Sequence, residues 1–465
     1  MKNRYYILLL LATLLCWGCT VDVIDRGGDD GDDDTQNDEV TVWMDGVLSE
    51  KYLYNDEYNE LEKDLTISYD NFLASTLKQM TTNVLDYKDG SLYTGIYRTA
   101  TTKSVTRISQ TKVEELTLGL ARAATVSYDD DTQMGVLVMA VIKDSPLYDA
   151  GVRRGDVIWS VNSAKLTSEN ISGYAQILLE PTSATTYTLS FEDGSSAAPV
   201  AKYMYCSPIL HSDIYDGSVG YISYLNFDMA WDDELMAELT DMKSQGITDL
   251  ILDMRLNTGG YVSTANKLST AIAGDAAMGE VFANYRYNDT RMATMSTSDL
   301  VENFNISATI PHLNFTTLYC LVSDYTASAS ELVINSLRGI DIEVFLIGTQ
   351  TEGKNVAMEV QEKTFGDYDY QFYPISIELS NAKGYSGYED GFEEDIYVDD
   401  WNGGANFADF GEDEIMIKTA RELISSQPLS TSVVSQSRGG GVVRTIGEVL
   451  TPSRRVDGNI LLVEE

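Results

Sequence analysis

The chain has 465 residues, 43% of them hydrophobic and 10% aromatic, enough for two or three domains each with its own core. Its 72 acidic residues against 32 basic ones give a formal charge of −40, which argues against nucleic acid as a partner because phosphate recognition needs clustered Lys and Arg. Only His211 and His312 are available to a Ser-His-Asp triad or a multi-histidine metal site, neither lies in a recognisable catalytic motif, and no metal or cofactor is expected.

At the N-terminus, Lys2 and Arg4 precede a mostly apolar run from Tyr5 to Leu15 that is too short for a stable membrane-spanning anchor. The run ends in Leu15-Cys16-Trp17-Gly18-Cys19, which resembles a bacterial lipoprotein signal cleaved before Cys19. Residues 1–18 would then be a signal peptide, and a lipidated Cys19 would hold the mature chain on a membrane of the bacterial cell envelope, the outer membrane being the expected one, facing either the periplasm or the cell surface. An ordinary secretory signal is the alternative. Residues 19–39 follow as an acidic tether whose run Asp25-Arg26-Gly27-Gly28-Asp29-Asp30 cannot bury a core.

In residues 40–111, Trp43, Val47, Leu48 and Tyr52 recur at helical intervals, as do Phe72, Leu73, Leu77 and Met80. This stretch predicts a small helical cap with no chemical constellation of its own. From 112 to 200 the pattern changes to short strands around one helix. Residues 201–426 alternate strands and helices, with Val219–Leu225 and Leu250–Arg255 as buried strands. The second runs into Asn257-Thr258-Gly259-Gly260, where paired glycines permit a tight turn whose N–H groups point into a site. Residues 427–465, including Gly439-Gly440-Gly441, read as a flexible tail of unknown role. Cys206 and Cys320 sit in apolar strand-like runs, where buried free thiols are the commoner outcome and a disulfide the alternative.

The most informative stretch is Tyr325-Thr326-Ala327-Ser328-Ala329-Ser330-Glu331. The uncharged run Leu318–Ser323 predicts a buried strand, Asp324-Tyr325-Thr326 a turn, and Ser330–Leu337 an amphipathic helix. A serine at such a strand-to-helix turn is exposed to substrate, and the helix N-terminus favours negative charge developing beside it. With so few histidines, a hydrolase on this chain needs another base. Lysine serves when its surroundings depress its pKa, and Lys354 lies 26 positions after Ser328.

Two resemblances follow from these motifs. Leu118-Gly119-Leu120, Val136–Val141 and Ser145-Pro146-Leu147 through Ala150-Gly151 and Arg154-Gly155-Asp156 resemble a PDZ domain of bacterial proteases over residues 112–200. That resemblance implies a module that takes a peptide as an added strand, with Leu118, Gly119 and Leu120 receiving a terminal carboxylate, or else a purely architectural one. Leu252–Gly260, Thr326–Glu331, Gly353-Lys354, Asn381-Ala382-Lys383-Gly384 and Gly391–Asp395 resemble the tail-specific, or C-terminal processing, serine peptidases.

The peptidase resemblance implies an α/β, crotonase-like core with a preceding or inserted PDZ domain and a small N-terminal helical domain. It implies Ser328 as nucleophile, Lys354 as general base, and Gly259, Gly260 and Ala329 around the oxyanion hole, with Ser330 structural. Polypeptides are the implied substrates, captured through their free C-termini. Many members carry Gln four positions after the lysine, where this chain has Met358; the adjacent Glu359 would face the other way on a regular strand. The rival readings are a peptide-binding or scaffold lipoprotein on a decayed peptidase, and a non-proteolytic acyl hydrolase on the same core.

Overall fold

The computed structural model describes residues 34–88, 90–100, 111–127, 133–401, 407–425, 445–451 and 461–462. Its centre is a sheet ordered Ile209–Tyr215, Val219–Tyr224, Asp249–Asp253, Thr317–Val322, Glu343–Gly348 and Ile396–Tyr397, parallel throughout except for the first pair. Parallel strands joined by helical crossovers are covered on both faces, so they read as continuous apolar runs. One face carries Ile222, Leu252, Cys320 and Leu346 against the helices Asp232–Ser244, Val262–Ala273 and Ala329–Gly339. The opposite face places Tyr221, Ile251, Leu321 and Ile347 against the helix Ile415–Ile424.

A second sheet runs in the order Gly260–Tyr261, Leu461–Leu462, Val356–Met358, Ile375–Ser380, Val281–Arg286 and Val301–Asn303. The N-terminal helices Asp34–Lys51, Asn55–Glu60 and Tyr69–Leu77 bury Val40, Met44, Leu48, Phe72 and Leu73 in one cluster with Val356, Met358 and Ile375. The cap therefore shares one core with the second sheet. It is also not wholly helical, since Gly95–Ala100 pairs antiparallel with Tyr368–Tyr373. The first helix begins at Asp34, inside the stretch read as tether, which corrects that boundary.

The expected PDZ module has strands Leu120–Ser127, Met134–Val141, Val157–Val161, Leu189–Phe191 and Ser196–Ala197, with the helix Ile171–Leu179 over its core. Arg154 joins it to the central sheet: its Nη2 lies 2.6 Å from Asp400 Oδ2, and that same oxygen accepts from Arg255 Nη1 at 2.9 Å. Arg255 also pairs with Asp253 and Glu414, so this buried guanidinium is fully compensated.

The reading of 427–465 as a flexible tail is corrected in two places. Thr445–Leu450 is a strand on the edge of the PDZ sheet, and Leu461–Leu462 is an inner strand of the second sheet. Both pairings are with residues far away in sequence, which local pattern does not reveal. Cys19, the signal segment and most of the tether lie outside the described residues.

Candidate active site

Ser328 ends the turn that follows the strand Thr317–Val322 and caps the helix Ala329–Gly339, with φ 63° and ψ −114°. A non-glycine residue there costs on the order of 1–3 kcal/mol and persists only where its surroundings fix it. Thr326 Oγ1 donates to Met254 O (2.9 Å), Ala327 N to Asn257 O (3.1 Å), and Ser330 Oγ to Asn257 O (3.1 Å). The serine turn is thus pinned to the segment that runs into the paired glycines. Ser330 is engaged as a structural donor. Ser328 Oγ is buried, where the strand-to-helix turn predicts an exposed hydroxyl, because the turn is packed against residues 254–257, and among the described residues it has no hydrogen-bond partner.

Glu331 fixes the geometry between the serine turn and the lysine. Its Oε2 accepts from Ser328 N (2.9 Å) and Lys354 N (2.8 Å), and its Oε1 from Gly353 N (2.7 Å) and Thr351 Oγ1 (2.7 Å). Burial pushes this carboxyl up to about 7, against the pull of the four donors. The sequence signal was available: an acidic residue three positions after an N-cap serine is the capping-box spacing.

Lys354 is 1% exposed, and desolvation lowers it to about 7 against the opposing pull of Asp86, Glu352 and Glu331. Its Nζ lies 4.0 Å from Met358 Sδ and 4.6 Å from the centroid of the Tyr93 ring. Val356 and Met358, two and four positions on from Lys354, are both buried. Glu359 turns away, as strand alternation requires, and pairs with Arg291, whose Nη2 donates to Oε1 at 2.9 Å. Tyr93 and Asp86 come from the N-terminal region, whose sequence pattern carries no chemical constellation of its own. Asp86 is buried, accepts from Tyr52 OH (2.6 Å) and Thr94 N (2.7 Å), and is raised by burial to about 6. Tyr93 OH donates to Glu352 Oε1 at 2.9 Å.

The glycine turn expected near an oxyanion is linked to the serine turn through Asn257. Gly259 and Gly260 have φ 116° and 139°, and a Cβ on Gly260 would meet Phe227 O at 2.2 Å, so only glycine fits there. Gly259 N already donates to Asn257 Oδ1 at 2.9 Å, which removes it as a donor to substrate in this arrangement. Asn257 therefore organises both the glycine turn and the serine turn. Ala329 opens its helix, where first-turn N–H groups lack intrahelical partners.

In the PDZ module, Gly119 has φ 90° and its N–H donates to Thr117 Oγ1 at 2.8 Å. Leu118 O and Gly119 O accept from Leu147 N and Ile142 N, so the loop is braced by its own neighbours, with Leu118 and Leu120 buried. His211 stacks on Phe410 and burial lowers its pKa; His312 Nδ1 lies 2.8 Å from Asp275 Oδ1. Cys206 and Cys320 are buried free thiols, and burial pushes Cys320 up to about 12. Among the described residues, no group of three or more His, Cys, Asp and Glu side chains is placed to hold a metal ion.

Residues 218–398 match the model of Peptidase family S41, and residues 137–188 match a PDZ domain. A carboxy-terminal-processing protease of Bartonella bacilliformis is 25% identical over 228 residues, covering 47% of this chain and 49% of the relative. Carboxy-terminal processing protease CtpA of Bacillus subtilis is 24% identical over 230 residues, covering 49% of this chain and 46% of its own length. The chain thus spans about half the length of the curated relatives it matches. In structure it is similar to a putative S41 protease from Bacteroides fragilis, with a TM-score of 0.62 and 22% identity over 83% of this chain and 97% of the other, which bears on the fold. The α/β core matched at 218–398 has the fold of the S41 peptidases, and the module before it the fold of a PDZ domain.

Proposed function

We propose that the protein is a serine endopeptidase in which Ser328 is the nucleophile and Lys354 the general base. The observation that carries this reading is the shared seat on Glu331, which sets the main chains of the two residues together while an apolar pocket depresses the lysine. Neutral Lys354 takes the Ser328 hydroxyl proton as Oγ attacks the peptide carbonyl carbon. The resulting ammonium returns that proton to the departing amine as the C–N bond breaks. Water then enters, gives a proton to Lys354, and its hydroxyl releases the acyl group from Ser328, which regains a proton. Gly260 and Ala329 are the proposed region for the oxyanion. The substrates are extended or unfolded polypeptides, with the PDZ module engaging C-terminal segments as an added strand. Cys19 would carry the lipid that holds the enzyme on a membrane of the bacterial cell envelope, most simply the outer membrane. The test is release of new amino termini from an unfolded polypeptide by the full chain, with Ser328→Ala and Lys354→Ala as controls. Turnover lost in both variants is expected; turnover kept by either would refute the assignment.

A further inference from the structure

Ser328, Gly260, Lys354 and Met358 are all buried in the folded chain, so substrate must displace something to reach the hydroxyl. The structure shows what lies beside them. Leu461–Leu462 sits in the second sheet between Gly260–Tyr261 and Val356–Met358, pairing Leu461 with Gly260 and Leu462 with both Tyr261 and Met358. One flanking strand holds the glycine turn and the other follows the lysine. An extended peptide entering this cleft would need that same gap, because strand edges on both sides offer it main-chain hydrogen bonds.

The same segment fills the PDZ module. Thr445–Leu450 adds antiparallel to the outer edge of Leu120–Ser127, the strand that follows the Leu118-Gly119-Leu120 loop, with Leu450 opposite Ala123. Leu450 packs against the apolar core of the PDZ module, the cluster that includes Leu118, Leu120 and Ile171. Adding to this edge as an antiparallel strand is the manner expected of a bound peptide.

We infer that the strands Thr445–Leu450 and Leu461–Leu462 act as internal ligands, one on the PDZ edge and one in the peptidase cleft, and that polypeptide substrate competes with them. The inference rests on the peptidase reading for its kinetics but not for its binding arm. A tethered competitor acts at an effective concentration in the millimolar range, so modest intrinsic affinity raises the apparent KM about tenfold.

The test compares the full chain, a chain ending at residue 444, and the full-length variant Leu450→Asp, which needs no truncation to fold. The expected result is a KM for an unfolded polypeptide about tenfold lower in the two altered forms with kcat within about twofold, and competitive inhibition of the shortened form by a synthetic peptide of residues 445–462. Independently of turnover, a fluorescent copy of that peptide should bind saturably to the shortened form carrying Ser328→Ala. Binding without activity in any form would sustain this inference while removing the peptidase reading. Active forms with unchanged KM and no peptide binding would overturn it while leaving that reading intact.

Discussion

Ser328 and Lys354 donate their main-chain N–H groups to one oxygen, Glu331 Oε2, at 2.9 and 2.8 Å. A single buried carboxylate thus holds the strained serine turn and the lysine loop in register. Neither residue could shift without leaving a buried donor unpaired, and that penalty is what holds the unusual φ at Ser328.

Replacing that carboxylate is accordingly costly. Glu331→Gln keeps the shape but turns an NH2 group toward the N–H and O–H donors that one of its oxygens now accepts. We expect a loss on the order of 3 kcal/mol in unfolding free energy and a fall in kcat larger than the folded fraction explains. Denaturant titration beside steady-state kinetics measures both; an unchanged midpoint would count against the staple.

With neutral Lys354 as the proposed base, activity should rise with pH through about 7 and then level, since burial lowers this lysine to about 7. Asp86 opposes that shift, so Asp86→Asn removes a charge that favours the ammonium, and the acidic limb of kcat/KM should move to lower pH. A limb that stays in place would remove Asp86 from the lysine's surroundings.

The strand-to-helix turn at Ser328, the turn at the paired glycines and the PDZ fold are legible because each is a local signal, a strand, a turn or a helix start within a few residues. What surrounds the lysine is not. Tyr93 and Asp86 belong to a region read as a plain cap, and they reach the site because Gly95–Ala100 pairs with Tyr368–Tyr373 across most of the chain. Asn257 looked like part of a glycine turn, yet its carbonyl and side chain tie that turn to the serine loop. The strands Thr445–Leu450 and Leu461–Leu462 were read as a loose tail, since their order depends on distant edges rather than on their own composition.

Met358 stands where many relatives by resemblance carry Gln, and its sulfur is 4.0 Å from Lys354 Nζ. A thioether accepts hydrogen bonds weakly and leaves the ammonium poorly solvated. Met358→Gln offers an amide oxygen that stabilises the charged form, so the acidic limb should move to higher pH while the variant remains active. Movement in the opposite direction would show that the thioether does not set the lysine's basicity.

Gly260→Ala tests the glycine turn. The added Cβ meets Phe227 O at 2.2 Å in a backbone conformation that L side chains rarely adopt. We expect a stability loss of about 2 kcal/mol or more together with abolished turnover, read by thermal unfolding and by cleavage of an unfolded polypeptide. Full activity in this variant would place the oxyanion elsewhere.

The most direct measurement is the rate of polypeptide cleavage by Lys354→Arg across pH 6 to 9, beside the wild type. Guanidinium keeps its proton throughout this range and cannot act as the base. The account predicts a loss of about 10²–10⁴-fold at every pH, with the fold retained. Near-wild-type turnover by Lys354→Arg at any of these pH values would contradict it.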